Sequence, residues 1–223
     1  DTYSDESLAK DDLNDDYQLL FVNLVLRHVD DVLHAWEHGL QPKPMYLMLL
    51  GTAGTGKTRA VQTCLQELKS TLRSRGISAD FVKAAAPTGS AAFNIRFGAS
   101  TIHRLIQWCN PRFWSIIRND QQLHRFQEFL QHTQLIILDE MSMIGRQMMG
   151  RIDSRLTQAK AGRRNPMSHD LGGISCVCAG DPAQCEAISD QQPYDKRPHK
   201  DLPSDPSANR VTLSTRGLAI YSK

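Results

Sequence analysis

Met45-Tyr46-Leu47-Met48-Leu49-Leu50 runs directly into Gly51-Thr52-Ala53-Gly54-Thr55-Gly56-Lys57-Thr58, and this junction decides the fold. An apolar run empties into a loop that matches G-x-x-x-x-G-K-[ST] at every fixed position. The spacing has a physical cause. Glycines at 51, 54 and 56 let the backbone curl until its N–H groups point inward at phosphate oxygens. Lys57 brings a positive charge to the β- and γ-phosphates, and Thr58 offers a hydroxyl to Mg²⁺. A helix opening near Gly56 aims its N-terminal dipole at the same place. Val61, Leu65 and Leu68 recur at i, i+4 and i+7 with polar residues between them, which is the pattern of that helix. Strand, loop and helix thus follow in the order a phosphate-binding loop requires.

The chain of 223 residues is 40% apolar and 22% charged, ordinary for a globular protein able to bury a sizeable core. No apolar run approaches the ~18 residues of a membrane span, and the acidic start is unlike a signal peptide, so no membrane partner is expected. The chain opens on Asp1 rather than Met, as a piece of a longer protein would. Residues 1–16 carry seven acids against Lys10 alone, so the net charge of +2 hides +8 on residues 17–223. A basic body of that kind suits a polyanionic partner. Five cysteines without a C-x-x-C pair, and eight histidines without zinc-ligand spacing, indicate neither a disulfide framework nor a zinc site. That usage fits a reducing, intracellular compartment. Cys176 and Cys178 alternate along one strand and read as a buried structural pair.

Along the chain, residues 1–12 read as a disordered acidic leader. Leu20, Leu24, Val25, Val29, Val32 and Leu33 keep helical spacing and predict a helix from Leu13 to about His38. Gln41-Pro42-Lys43-Pro44 ends it and delivers the chain to a strand over 45–50. Ala79–Ala86 reads as a second strand, followed by Pro87-Thr88-Gly89-Ser90 and a helix to about Phe97. Thr101–Trp108 is expected to be a short helix, and Leu123–Leu130 another. Gln134–Leu138 reads as a strand ending in Asp139 and Glu140, with a helix over Met141–Lys160. Ile174–Ala179 is a fourth strand, ending at Gly180-Asp181-Pro182-Ala183-Gln184. Residues 189–209 hold Pro193, Pro198, Pro203 and Pro206 and read as a flexible segment, with a further strand over Val211–Leu213. Strands alternating with helices imply an α/β domain over 13–188, a parallel sheet with helices on both faces. Ligands of such sheets sit at the carboxyl ends of the strands, where loops 51–58, 87–90, 139–140 and 180–184 all fall.

Several side chains on that edge carry chemistry. Asp139 closes an apolar run where a phosphate-loop ATPase needs a carboxylate for Mg²⁺, and Glu140 beside it is placed to activate water. The bland alternative is a pair of acids opening a helix. Gln184 is positioned past the fourth strand to touch a γ-phosphate, or else is a solvated loop residue. Phe93, Phe97 and Trp108 are either stacking surfaces for bases or core residues. Arg146, Arg151, Arg155, Lys160, Arg163 and Arg164 form either a basic binding face or a solvated one.

Five stretches, in order, resemble the motifs of the Pif (petite integration frequency) family of superfamily-one DNA helicases, which includes helicases of Helitron-type transposons. They are 51–58, Ala86-Pro87-Thr88-Gly89-Ser90-Ala91-Ala92-Phe93-Asn94-Ile95, Ser100-Thr101-Ile102-His103, Leu138-Asp139-Glu140-Met141-Ser142-Met143-Ile144, and 180–184. The resemblance implies a RecA-like P-loop NTPase fold, use of ATP and Mg²⁺, and translocation on single-stranded DNA coupled to hydrolysis. It implies phosphate and metal roles for Lys57 and Thr58, Mg²⁺ binding by Asp139, water activation by Glu140 and γ-phosphate sensing by Gln184. Thr88, Asn94, Thr101 and His103 fall in stretches that the family turns toward single-stranded DNA. For a eukaryotic chain the resemblance implies a nuclear or a mitochondrial address.

The chain also departs from the family's pattern. Tyr17 stands where its adenine-reading glutamine is usual, with Gln18 one position later, so either residue is a candidate for the base. Cys185-Glu186-Ala187 replaces the usual Leu-Pro-Pro after Gln184. A second motor domain, carrying the family's later motifs and its arginine finger, is expected in a longer parent. The alternative is a truncated or degenerate relative that binds nucleotide or single-stranded DNA without turnover.

Overall fold

A computed structural model describes residues 13, 15–108, 114–161, 170–188, 190–192, 194, 195, 197 and 210–222. The acidic leader to residue 12, Cys109, Arg163, Arg164 and the four prolines of 193–206 lie outside them.

Among the described residues five strands form one sheet: β1 (Tyr46–Leu50), β2 (Val82–Ala86), β3 (Ser100–Thr101), β4 (Leu135–Leu138) and β5 (Ser175–Gly180). Their order is β1-β5-β4-β2-β3, and every neighbouring pair is parallel. Parity within a strand separates the two faces. In β4, Leu135 and Ile137 join a core with α1 (Asp16–Glu37), α2 (Lys57–Ser74) and α3 (Gly89–Ile95). Ile136 and Leu138 point the other way, toward α4 (Ile102–Leu105), α5 (Asp120–Phe129), α6 (Arg146–Lys160) and α7 (Arg210–Tyr221). Both faces of β4 and β5 are covered, which is why β4, and β5 after Ser175, are apolar instead of alternating.

Most predicted elements stand with trimmed ends. The first helix begins at Asp16, where the Asp15 side chain accepts from Tyr17 N and caps it. Residues 79–81 form a 3₁₀ turn ahead of β2, and 141–143 another ahead of α6. The helix expected over Thr101–Trp108 is only four residues long and is preceded by the two-residue β3, too short to leave a period in the sequence.

One assignment is overturned. Val211–Leu213 is no strand but part of α7. A short apolar run carries no period of its own, and here tertiary packing decides. Leu213 and Ile220, seven residues apart on one helical face, are both buried against α6 and the sheet.

Helices α6 and α7 touch backbone to backbone. A Cβ on Gly217 would collide with the Arg146 carbonyl, and one on Gly150 with the carbonyl of Leu213. Gly217→Ala is therefore expected to destabilise the chain by about 1–3 kcal/mol, the usual cost of overpacking. Gly89→Ala, where a Cβ meets nothing within 4 Å, should be near neutral. Urea melts of the two variants measure the difference, and equal midpoints would mean that α7 does not pack this closely.

Candidate nucleotide site

The phosphate loop leaves β1 and enters α2 as its sequence requires. Gly54 and Gly56 take positive φ, 80° and 76°. Gly56 is the residue ahead of α2 and provides no side-chain cap, and α2 has no acid in its first turn. The N–H groups that open α2 are therefore left without a side-chain cap, which is what an anion needs. Lys57 folds back over the loop, its Nζ donating to Gly51 O at 2.8 Å and Thr52 O at 2.7 Å.

The carboxyl ends of β4 and β5 complete the site. Gly51 N donates to Gly180 O (3.3 Å), tying the loop to the end of β5. A Cβ on Gly180 would lie 2.7 Å from Met141 N, so only glycine lets β5 pass this close to the turn after β4. Asp139 is buried, and its carboxylate accepts from Glu140 N at 2.9 Å. Burial pushes its pKa above the ordinary aspartate value, against the pull of the Glu140 N–H and of Lys57. Glu140 itself sits in the left-handed region, at φ 55° and ψ 48°. Holding a non-glycine residue there costs on the order of 1 kcal/mol, a strain that clusters at functional sites.

Together these elements line a cleft of about 340 Å³ made of Ala53, Gly54, Gly56, Lys57, Thr58, Asp139, Glu140 and Gln184. Residues spread over 132 positions of sequence thus meet in one place. A hydroxyl and a buried carboxylate sharing that cleft are hard oxygen donors of the kind Mg²⁺ takes. Among the described residues no group of three or more His, Cys, Asp or Glu could hold a metal by itself. A magnesium ion here would draw its other ligands from phosphate and water, its usual habit.

The structure separates the two candidates for the base. Gln18 Nε2 donates to Thr55 O at 2.8 Å, and it occupies the space a Cβ on Gly56 would need. Tyr17, on the same turn of α1, is 80% exposed. So Gln18 touches the phosphate loop, and Tyr17 does not pack against it.

The DNA-facing candidates are less uniform. Thr88 and Thr101 cap α3 and α4, accepting from Ala91 N and Arg104 N. Asn94 is exposed, and its carbonyl accepts from Gln62 Nε2. His103 stacks on Trp108 with ring centroids 4.9 Å apart. Burial, helped by Arg151, lowers its pKa and favours the neutral ring. Arg151 lies 4.6 Å from the Trp108 centroid. Trp108 therefore packs with its neighbours, Phe97 packs on the α1–α2 core, and only Phe93 is largely exposed, at 77%.

The basic row of α6 is not an outward face. Arg146, Arg155 and Lys160 are buried, and Arg155 stacks over Trp114 at 4.6 Å. Lys160 Nζ donates to the carbonyls of Leu130 and Thr133. Cationic heads are commonly solvated, and these turn inward onto carbonyl oxygens, Lys160 at the end of α5, Arg155 on Ser115 and Arg146 on Ser214 of α7. Cys176 and Cys178 are buried with their sulfurs 3.8 Å apart, as the pair reading expected.

A family profile described as "AAA domain" matches residues 34–188. The chain belongs to the AAA domain family. This AAA domain is also 29% identical over 133 residues to the ATP-dependent DNA helicase RRM3 of Saccharomyces cerevisiae, a stretch covering 59% of this chain and 17% of that protein. The Pif1 helicase of Candida albicans matches with a TM-score of 0.51 at 20% identity, over 78% of this chain and 34% of its own. Pif1 of Bacteroides sp. in complex with ADP-AlF4 matches with a TM-score of 0.50 at 23% identity, over 78% and 34%. The fold is thus RecA-like, and the likeness to Pif-type helicases expected from the five motifs is borne out. The AAA domain described here spans about a third of the length of the solved structures it matches and less of the curated one.

Proposed function

We propose that the chain is the nucleotide-binding motor domain of an ATP-dependent DNA helicase. The observation that carries this reading is the convergence of Lys57, Thr58, Asp139, Glu140 and Gln184 on one cleft. A RecA-like fold shared with Pif1 helicases and the sequence likeness to RRM3 support it.

The geometry suggests a division of labour. The loop N–H groups and the start of α2 receive the phosphates of ATP. Lys57 exchanges the carbonyls of Gly51 and Thr52 for phosphate oxygens, a charge-assisted and stronger bond. Thr58 and Asp139 would hold Mg²⁺, which when bound neutralises charge on the β- and γ-phosphates. Glu140 takes the proton of the attacking water. Gln184 contacts the γ-phosphate from the end of β5. Gln18, bonded to the loop at Thr55 O, is the better supported of the two candidates for reading the adenine. The alternative of binding without turnover is disfavoured by the presence of Lys57, Thr58, Asp139, Glu140 and Gln184 together in the cleft. A reducing, intracellular compartment suits the free Cys64, Cys176, Cys178 and Cys185.

Single-stranded DNA is the proposed second ligand, along Thr88, Asn94, Thr101 and His103, with a net charge of +8 on residues 17–223 to attract it. Binding should weaken steeply with salt, log K falling by ~0.7 per log unit of salt for each phosphate neutralised. Fluorescence anisotropy of a labelled oligonucleotide, with and without Mg·ATP, tests both ligands at once. We expect the signal to fall with salt, to respond to nucleotide, and to diminish when Thr101→Ala and His103→Ala are combined. Salt-independent binding, or binding that ignores both substitutions, would remove this surface from the proposal.

A further inference from the structure

We propose that Arg146 is a positioning residue for the γ-phosphate pair, bolting the chain that follows Gln184 to the start of the helix that follows Glu140. The inference rests on the roles just given to those two residues.

The geometry is symmetrical in sequence. The chain leaves the cleft at Glu140 and six residues later reaches Arg146, and it leaves again at Gln184 and six residues later reaches Asp190. There the two excursions are joined. Arg146 N donates to Gln191 O at 2.9 Å. The Asp190 carboxylate accepts from Gln147 N (3.1 Å) and Met148 N (3.0 Å), capping α6 from across the fold. A Cβ on Gly145 would collide with that carboxyl group, so the approach depends on glycine.

The Arg146 side chain makes the joint three-way. It is 3% exposed. Its Nη1 lies within hydrogen-bonding distance of Gln191 Oε1 (3.1 Å), Asp195 O (2.9 Å) and Arg197 O (2.9 Å). Its Nε donates to Ser214 O of α7 at 3.2 Å. A buried guanidinium that bonds neutral oxygens is tolerated only while its donors are satisfied, so the strap cannot drift far from α6 without exposing an unpaired charge. Two smaller ties lie between the joint and the cleft. Gln192 spans the two excursions once its side-chain amide is turned so that the nitrogen donates to Ser142 O (3.1 Å) and the oxygen accepts from Ala187 N (2.9 Å). Tyr194 OH donates to Pro182 O at 3.1 Å, two residues before Gln184. The separation of Gln184 from Glu140 is therefore set from behind, by a joint whose residues are not among those that line the cleft.

The test compares the affinity of the chain for ATPγS with that for ADP, both with Mg²⁺, by titration of fluorescent analogues. A charge-assisted contact from Gln184 to the terminal phosphate should contribute ~tenfold to the preference for ATPγS. Gln184→Ala should lose that tenfold. Arg146→Lys keeps the charge but not the fork. It should lose the same factor with ADP affinity unchanged, and the double variant should lose no more than either single one. Should Arg146→Lys fail to fold in a thermal melt, Asp190→Asn and Gln191→Ala carry the same expectation. If Gln184→Ala leaves the preference intact, the role given to Gln184 falls, and this inference with it. If Gln184→Ala removes the preference while Arg146→Lys and Asp190→Asn retain it, the positioning inference alone is overturned. Equal loss of ADP and ATPγS affinity would also overturn it, since that is general damage to the fold.

Discussion

Replacing Lys57 by alanine is expected to abolish the stabilisation that ATP confers on the folded chain. A ligand that binds only the native state at a hundredfold excess over its dissociation constant stabilises by ~2.7 kcal/mol. For a chain of this size that is a rise in melting temperature of roughly 5–10 °C. Lys57 lies at the centre of the cleft, its Nζ already drawn onto Gly51 O and Thr52 O. Without it the phosphates meet backbone N–H groups but no compensating full charge. Thermal melts across a Mg·ATP titration measure this directly, with wild type shifting and Lys57→Ala staying flat. Equal shifts in the two proteins would place nucleotide somewhere other than the phosphate loop.

Glu140→Gln should have the larger kinetic effect and almost none on binding. The substitution preserves shape and removes the base, and general base catalysis is worth ~10²–10⁴ in rate. Phosphate release under single-turnover conditions, with protein in excess over ATP, should slow by that factor while the melting shift of the Lys57 experiment is retained. Glutamine has the same backbone and shape as the Glu140 it replaces, whose left-handed conformation it is expected to keep, so a change in rate reports the carboxylate and not the turn. A Glu140→Gln protein that hydrolyses at the wild-type rate would reduce Glu140 to the residue that turns the chain after β4.

What the sequence determined by itself is local or periodic. The phosphate loop is legible because each of its steps, the glycines at 51, 54 and 56 and then Lys57-Thr58, answers a requirement met within eight residues. The alternation of strands and helices is legible because periods of two and of about 3.6 leave a pattern in any covered sheet. Asp139 could be picked out as chemistry because it closes an apolar run, and Gln184 because of the Gly180-Asp181-Pro182-Ala183-Gln184 stretch that it ends.

Other features depend on partners far away along the chain and emerge only on folding. Val211–Leu213 has no period to read, and it is helical because Gly217 and Gly150 let α7 settle onto α6. Tyr17 and Gln18 are neighbours on one helix, and only the approach of Thr55, 37 positions after Gln18, shows which of them meets the loop. Arg146, Arg155 and Lys160 read as a surface row because cations prefer water. They are buried because carbonyl oxygens from α7, residues 115, 130 and 133, and the strap after Gln184 converge on them. A charge placed inside a fold leaves no mark on its own neighbours in sequence, since most of the oxygens that satisfy these three belong to backbone, and every residue type carries one.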